Sequence, residues 1–397
     1  MGRYLNSSTP YALYQGETNQ PYFVDKSLLL AELFPVLDAG NQHICITRPR
    51  RFGKTIMANM IAAFLSKKVD SDSIFSRLKI TSNLKYKEYR NKYNVISIDF
   101  SKISRSCDSY SDYIGKIETT LIRDLKKEYP QIEVYEDDSA ADVLETIFEE
   151  CNQERFVFVL DEWDFIFHKD FINEENKKQY IQFLSNLLKD RPYVQMTYMT
   201  GILPIKKYGT HSALNMFMEY SMTDPGNMAE YFGFTEKEVE NLCIEYGMSI
   251  EETKAWYNGY ELSVVEAQKP KVYAMYNPKS VVDAMLSGIF DNYWNQTETY
   301  EALKAYICMN FDGLKDAVVK MLAGDRIQIN TGTFSNDMTS FQSRDDILTL
   351  LVHLGYLTYD VEKESVRIPN KEVAQEYINA ISTMDWKEVI SQIKDKK

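Results

Sequence analysis

The stretch that decides the fold reads Thr47-Arg48-Pro49-Arg50-Arg51-Phe52-Gly53-Lys54-Thr55. An apolar, β-branched run, His43–Thr47, leads into it, and an amphipathic pattern over Thr55–Leu65 follows it. A strand, loop and helix in this order turns backbone N–H groups and the positive end of the helix toward an anion. The stretch therefore predicts a phosphate-binding loop (P-loop).

The end of this loop has the residue types that bind a nucleoside triphosphate. Gly53 permits close approach of the backbone, Lys54 is the expected clamp on the β- and γ-phosphates, and Thr55 is an expected Mg²⁺ ligand. We therefore predict ATP and Mg²⁺ as ligands. The predicted nucleotide-binding residues are Arg48, Pro49, Arg50, Arg51, Phe52, Gly53, Lys54 and Thr55.

The start of the loop departs from the usual glycine-rich pattern. Arg48 stands where the first glycine is usual, and Pro49 follows it. Because proline fixes φ and has no N–H donor, this half of the loop should be stiffer than a glycine-rich one. Two interpretations of Arg48, Arg50 and Arg51 stay open, as cations that face the phosphates or as solvated loop charges.

A second element is an apolar run, Phe156–Leu160, that ends in Asp161 and Glu162. A carboxylate at the end of a neighbouring parallel strand can hold the Mg²⁺ shell, which predicts Asp161 as a metal ligand together with Thr55. Glu162 is the expected base for the attacking water, because a base acts only within hydrogen-bond reach of it. The alternative is a strand that ends in a solvated acidic turn.

Two further polar residues stand near strand ends. Thr200 closes the run Val194–Thr200 and is expected to sense the γ-phosphate or to orient the water, which makes Glu162, Lys54 and Thr200 the predicted catalytic residues. Asp99 is a weaker candidate for the same edge. Ligand sites in open α/β sheets lie at the carboxyl ends of strands. The alternative is that either residue only terminates its strand.

Strands alternate with helical patterns over the first half of the chain, which predicts an α/β fold with a parallel sheet flanked by helices. A mostly helical region follows, and near the end a helix, two short strands and a helix are expected. That order is compatible with a winged-helix-like module or with a small α+β cap. The predicted parts are an irregular lead-in over 1–21, an α/β domain over 22–205, a helical lid or connector over 206–300, and a C-terminal module over 301–397.

Bulk composition excludes several classes. The chain has 397 residues and a net charge of −13, which disfavours a general nucleic-acid coat, although a local basic patch stays open. Five scattered cysteines without a C-x-x-C pair indicate reduced thiols. No run approaches the ~20 apolar residues that cross a bilayer, and the polar start lacks a signal-peptide core. We therefore expect a cytoplasmic protein without a membrane partner.

An ordered set of motifs resembles a known family, the bacterial AAA-ATPase-like proteins that often have a C-terminal PD-(D/E)XK-type nuclease domain. The resemblance runs from about Tyr22 to Ile381. It rests on segments 23–27, 48–55, 160–164, 200–202, 212–215, 256–260, 276–278, 293–294, 355–358 and 368–373. It implies that the missing first glycine is a family trait. After Ile381 we expect no nuclease domain, so nuclease activity is not predicted.

The resemblance also implies an ATPase with an additional strand and a catalytic glutamate. ATP and Mg²⁺ binding then fall on Lys54 and Thr55, the metal role on Asp161 and the base role on Glu162. Three functions stay open. They are an ATPase whose hydrolysis drives a conformational change on a protein or nucleic-acid partner, a nucleotide-gated switch with little turnover, and a small-molecule kinase. The adjacent acids favour hydrolysis over the kinase. The sequence defines neither that partner nor the oligomeric state.

Overall fold

The computed structural model describes residues 1–102, 107–205, 213–266, 269–294, 299–308, 311, 313–334, 341 and 343–382. Its contacts divide the chain into two compact units. The described residues of Met1–Ile46, Lys54–Gly201 and Gly209–Glu219 form the first unit, and those of Thr47–Gly53, Ile202–Tyr208 and Tyr220–Lys397 form the second. The predicted boundaries at residues 205 and 300 stay predictions, and residues 206–212, 295–298 and 383–397 lie outside the described part.

The first unit is built on a five-stranded sheet, of which the strand-end residues Thr47 and Tyr220 belong to the second unit. Its strands are β1 (Gln42–Thr47), β2 (Asn94–Asp99), β3 (Phe156–Asp161), β4 (Val194–Gly201) and β5 (Phe217–Tyr220). Their order across the sheet is β2-β3-β4-β1-β5, so β4 lies between the two strands that carry the predicted motifs. β3 pairs in parallel with both β2 and β4. The predicted α/β fold is confirmed.

Helices flank this sheet. They are α1 (Thr9–Thr18), α2 (Leu29–Ala39), α3 (Lys54–Leu65), α4 (Asp72–Phe75), α5 (Tyr86–Tyr89), α6 (Tyr110–Glu128), α7 (Ala140–Glu150) and α8 (Glu174–Leu188). Every residue of β3 is buried, as expected for a strand covered on both faces. Ser139 begins α7 with a capping box to Asp142, which satisfies backbone donors at that end. The predicted strands His43–Thr47, Phe156–Leu160 and Val194–Thr200 and the predicted helix Thr55–Leu65 are confirmed to within one residue at each end.

The irregular lead-in predicted over 1–21 is wrong. Thr9–Thr18 form α1, and Leu5 bridges to Ile96 of β2 in the antiparallel sense. α1 buries Pro10 and Tyr14, which are four positions apart, so the helix has an inward-facing side too short to give a clear periodicity. Proline at the first helical turn costs no hydrogen bond and favours a helix start here.

The second unit contains α9 (Glu236–Tyr246), α10 (Ile250–Tyr257), α11 (Pro278–Ser287), α12 (Thr299–Cys308), α13 (Leu314–Leu322), α14 (Arg344–Leu354) and α15 (Lys371–Ser382). The interpretation of 206–300 as helical missed a three-stranded sheet. It is formed by β6 (Phe234–Thr235), β7 (Tyr260–Glu266) and β8 (Lys269–Tyr276), in the order β6-β8-β7. In β7, Tyr260, Leu262 and Val264 are buried in strict alternation, which is the strand signal that was overlooked.

The end of the described chain follows the prediction closely. α14 is followed by β10 (Thr358–Asp360), β11 (Ser365–Arg367) and α15, and the two strands pair antiparallel. β9 (Ile327–Gln328) adds a third strand beside β11. The helix, strand pair and helix are confirmed, and their likeness to a winged helix stays a prediction. The expectation about residues after Ile381 falls almost wholly on 383–397, outside the described residues.

The structure bears on two expectations drawn from the composition, which concern the cysteine thiols and membrane-spanning segments. Cys45, Cys107, Cys151 and Cys243 are free thiols, as the scattered spacing predicts, while the side chain of Cys308 lies outside the described residues. Within the part of the chain that the structure describes, we find no helix of the length and apolarity that a membrane span requires. The cytoplasmic location stays a prediction.

Candidate active site

Asp161, Thr55 and Thr200 meet at the carboxyl edge of the first unit's sheet. Asp161 is the last residue of β3 and is buried. Thr200, near the end of β4, donates a hydrogen bond from its hydroxyl group to Asp161 Oδ1. The Thr55 side chain, in the first turn of α3, also hydrogen-bonds the Asp161 carboxylate. The structure therefore brings together the two predicted metal ligands and one predicted catalytic residue.

The turn after Asp161 fixes the direction of Glu162. Glu162 has φ 55°, in the left-handed region that non-glycine residues rarely adopt. The next residue, Trp163, donates its N–H to Thr200 O at 2.9 Å, which ties the turn to β4. A Cβ on Gly201 would lie 2.3 Å from the Trp163 ring, so this close approach requires glycine. Backbone strain at a strand end is a common feature of functional sites.

Lys54 and Glu162 form an ion pair in the first unit. Lys54 Nζ lies 3.6 Å from Glu162 Oε1, with the two side chains 3% and 24% exposed. Lys54 begins α3, where the N-terminal end of the helix favours an anion. The predicted phosphate clamp and the predicted base are therefore close together, beside the acid at the end of β3.

Burial sets the electrostatics of this edge. It raises the pKa of Asp161 to about 6, while the hydroxyls of Thr200 and Thr55 lower that pKa by hydrogen bonding and the nearby carboxylates of Glu162 and Asp99 raise it. A buried carboxylate with acidic neighbours gains free energy from a cation at the same place. This electrostatic environment suits a divalent metal held by oxygen ligands.

Asp99 stands beside Asp161 in the register of β2 and β3. Its carboxylate accepts hydrogen bonds from Ser101 and pairs with Lys102 at 3.0 Å. A cavity of about 180 Å³ is lined by Asp99, Asp161 and Thr55. Asp99 therefore lies at the predicted edge, with its charge already engaged by Lys102.

The arginines of the loop have contacts within the second unit. Arg48 is fully buried, donates from Nη1 to Thr47 O at 2.8 Å and to Tyr220 O at 2.9 Å, and lies over the Phe232 ring at 5.5 Å. Arg51 donates from Nη1 to Tyr293 O at 2.8 Å. These contacts show two of the three arginines bound to main-chain carbonyl groups, which neither of the predicted interpretations included.

The other residues of the loop pack in the same unit or stand half-exposed. Phe52 is buried edge-on against Tyr260, with ring centroids 5.1 Å apart, and its carbonyl accepts the N–H of Gly233. Pro49 lies beside Gly355, where a Cβ would approach within 2.8 Å. Arg50 is partly exposed. A phosphate-binding role for Arg48, Pro49, Arg50, Arg51, Phe52 and Gly53 stays a prediction.

Residues 15–210 match the family model described as "Predicted AAA-ATPase". This region belongs to the AAA-ATPase-like family. The family description supports ATP binding by an ATPase as the general property of the AAA-ATPase-like region, and the resemblance beyond residue 210 stays a prediction.

Individual relatives of this chain are distant. A protein of Azotobacter chroococcum mcd 1, described as "Uncharacterized protein in vnfD 5'region", is 24% identical over 292 residues, which are 71% of this chain and 52% of that protein. The chain thus spans about half of that relative's length.

Solved structures give low similarity scores. The Walker-type ATPase PABY2304 of Pyrococcus abyssi has a TM-score of 0.44 at 12% identity and covers 89% of this chain and 94% of its own. The ORC2 protein of Aeropyrum pernix, solved with ADPNP and ADP, has a TM-score of 0.39 at 9% identity and covers 95% of both chains.

Sequence reasoning missed one group of residues at the site of the AAA-ATPase-like region. Arg3 and Tyr4, from the segment predicted to be irregular, line the same cavity as Thr55 and Asp161. These two residues belong to no motif and no periodic pattern, because the segment that holds them is a single short stretch beside β2. Nothing in the sequence signals their position.

Proposed function

We propose that this protein is a Mg²⁺-dependent ATPase. The observation that supports it is the meeting of P-loop residues with the two acids at the end of β3. The Thr55 hydroxyl bonds to Asp161, and Lys54 pairs with Glu162 at 3.6 Å. Residues more than a hundred positions apart come together here in the arrangement that phosphoryl transfer to water requires, a clamp, a metal acid and a base.

The donors at this edge fit Mg²⁺. Asp161 and Thr55 offer a carboxylate and a hydroxyl, and Mg²⁺ binds through oxygen ligands, often one or two carboxylates together with substrate phosphates. The bound ion would supply charge neutralisation at the β- and γ-phosphate oxygens. Thr200 orients Asp161 by donating to Oδ1, and the amide of Trp163 holds that strand end in place.

In the proposed reaction, Lys54 binds the β- and γ-phosphates and Glu162 accepts a proton from the attacking water. The water oxygen forms a bond to the γ-phosphorus while the bond from that phosphorus to the β–γ bridging oxygen breaks. The products are ADP, phosphate and one proton. Glu162 is 24% exposed, so water can reach a carboxylate that also lies beside the buried Lys54.

Hydrolysis would be coupled to the second unit through the loop itself. Arg48 and Arg51 bind carbonyl groups of Tyr220 and Tyr293 in the second unit, and Lys54, three residues after Arg51, begins the part of the chain that belongs to the first. A shift of the loop when phosphate is bound or released would displace Arg48 and Arg51 and so change their hydrogen bonds to these carbonyl groups. We propose that this motion acts on a protein or nucleic-acid partner.

The test is ATP turnover and ATP binding in Glu162→Gln. The amide cannot accept the proton of water, so phosphate release should fall by about 10²–10⁴-fold, while ATP stays bound. Radioactive ATP retention and phosphate release measure the two properties separately. Glu174→Gln is the matched control, because Glu174 is an exposed carboxylate at the start of α8 and pairs across one helical turn with Lys177.

Three outcomes distinguish the alternatives. Normal turnover in Glu162→Gln would remove Glu162 from the reaction. Wild-type protein that retains ATP without releasing phosphate would favour a nucleotide-gated switch. Transfer of the γ-phosphate to a small molecule faster than to water would favour a kinase.

A further inference from the structure

The first residues of the chain are fixed against the edge of the first unit's sheet. The Tyr4 carbonyl accepts the N–H of Ser97 at 3.0 Å, and the N–H of Asn6 donates to Val95 O at 2.7 Å. On the other side, Asp124 accepts the Tyr4 N–H at 2.6 Å. These bonds make the segment a short addition to β2, so the backbone position of Arg3 is defined by its neighbours.

This segment contributes to the lining of a cavity at the candidate site. The cavity of about 180 Å³ is lined by Arg3 and Tyr4 together with Thr55 and Asp161, and Asp99 and Lys102 also line it. Arg3 therefore faces the same small volume as the predicted metal ligands. The Arg3 side chain is exposed, and its guanidinium group lies 5.8 Å from the Tyr4 ring centroid.

The charges around the cavity distinguish Arg3 from Lys102. Lys102 forms an ion pair with Asp99 at 3.0 Å, so its charge is balanced by an acid that lines the same cavity. Arg3 has a cation–aromatic contact with Tyr4 and a guanidinium group whose planar fork suits phosphate oxygens. A cation at this position can stabilise charge that develops on a phosphoryl group beside Asp161 and Thr55.

We propose that Arg3 is a catalytic residue that binds the γ-phosphoryl group of ATP from within the same chain. The proposal rests on the proposed ATPase function and adds a residue to it. In the step already described, the γ-phosphoryl oxygens gain negative charge as the bond to the bridging oxygen breaks. Arg3 donates hydrogen bonds to those oxygens and takes no proton, so the products remain ADP, phosphate and one proton.

The experiment compares Arg3→Gln with Lys116→Gln. Lys116 is an exposed cation that shares a neighbouring cavity with Arg3, and that cavity is not lined by Thr55 or Asp161. Arg3→Gln should lower kcat for phosphate release by about 10²–10³-fold and leave the Kd for ATP within about threefold. Lys116→Gln should leave kcat within about twofold. ATP binding is measured in the Glu162→Gln background, where turnover does not consume the ligand.

A second variant separates chemistry from folding. Arg3→Ala should regain part of its kcat when millimolar guanidinium ion is added, because the free ion can occupy the vacated space. A variant that had only lost local structure would show no such recovery. Normal kcat in Arg3→Gln, or a parallel loss in Lys116→Gln, would overturn the role of Arg3. Wild-type protein without phosphate release would overturn the ATPase itself, and the Arg3 role with it.

Discussion

The two ends of the nine-residue loop sequence have opposite environments. At its start, Arg48 is fully buried and donates to two main-chain carbonyl groups of the second unit. At its end, Thr55 is exposed and meets the buried, acidic Asp161 in the first unit. Charged groups that bind main-chain carbonyls stabilise a fold, while acids with raised pKa values beside a cavity favour a ligand. One motif therefore combines a structural half and, by our proposal, a functional half.

The largest expected effect is at the functional half. Lys54→Ala removes the ammonium group expected to bind the β- and γ-phosphates, so ATP affinity should fall by about 10³-fold, or about 4 kcal/mol. Isothermal titration with ATP measures the loss. Lys67→Ala is the control, since Lys67 pairs with Glu154 at the surface. Unchanged ATP affinity in Lys54→Ala would mean that the motif binds no phosphate.

The next effect concerns the structural half. Arg48→Ala leaves the carbonyl groups of Thr47 and Tyr220 without their donor and opens a space beside Phe232, so the free energy of unfolding should fall by about 3–4 kcal/mol. Chemical denaturation measures this change. Arg50→Ala, at the partly exposed neighbour, should change it by less than about 0.5 kcal/mol. Equal effects of the two substitutions would contradict the division of the motif.

The smallest effect is a pH dependence in the second unit. Burial raises the pKa of Glu372 from 4.5 to about 7, although the N–H groups of Tyr293 and Trp294 and the charge of Arg51 lower it. Because the folded pKa lies above the unfolded one, Glu372 contributes stability that is full below pH 4.5 and lost as the pH rises to 7. Its magnitude is about 3 kcal/mol over that range.

Glu372→Gln should remove this contribution, because the amide keeps an acceptor oxygen and does not titrate. Thermal or chemical unfolding of both proteins at several pH values gives the difference curve. It should slope between pH 4.5 and 7 and be flat above pH 7. A difference that is constant with pH would show that Glu372 titrates alike in the folded and unfolded chain.

Local sequence was sufficient for the strand–loop–helix and for the acids at the end of β3. Both rest on short-range rules, namely continuous apolar runs for buried strands and a glycine–lysine–threonine ending before an amphipathic helix. The position of β4 between β1 and β3 was not predicted, because strand order is set by packing of distant segments.

Two features were beyond such rules. The carbonyl groups of Tyr220 and Tyr293, which Arg48 and Arg51 bind, lie 172 and 242 residues away along the chain. No local pattern in the sequence encodes these two contacts. Arg3 is placed by the bonds of Tyr4, Leu5 and Asn6 to β2 and to Asp124, which link residues about 90 to 120 positions apart. A single sequence gives the residue types of a site more readily than its non-local partners.

The pairing of Tyr4–Asn6 with β2 has a consequence for solubility. β2 is the outermost strand of the five-stranded order on its side, and an uncovered strand edge is a template for pairing with another molecule. Bound along β2, the first residues occupy hydrogen-bonding positions that would otherwise be open to a neighbouring chain. Proteolytic removal of the residues before Ser7 would therefore expose the unpaired edge of β2 and promote self-association of an otherwise folded protein.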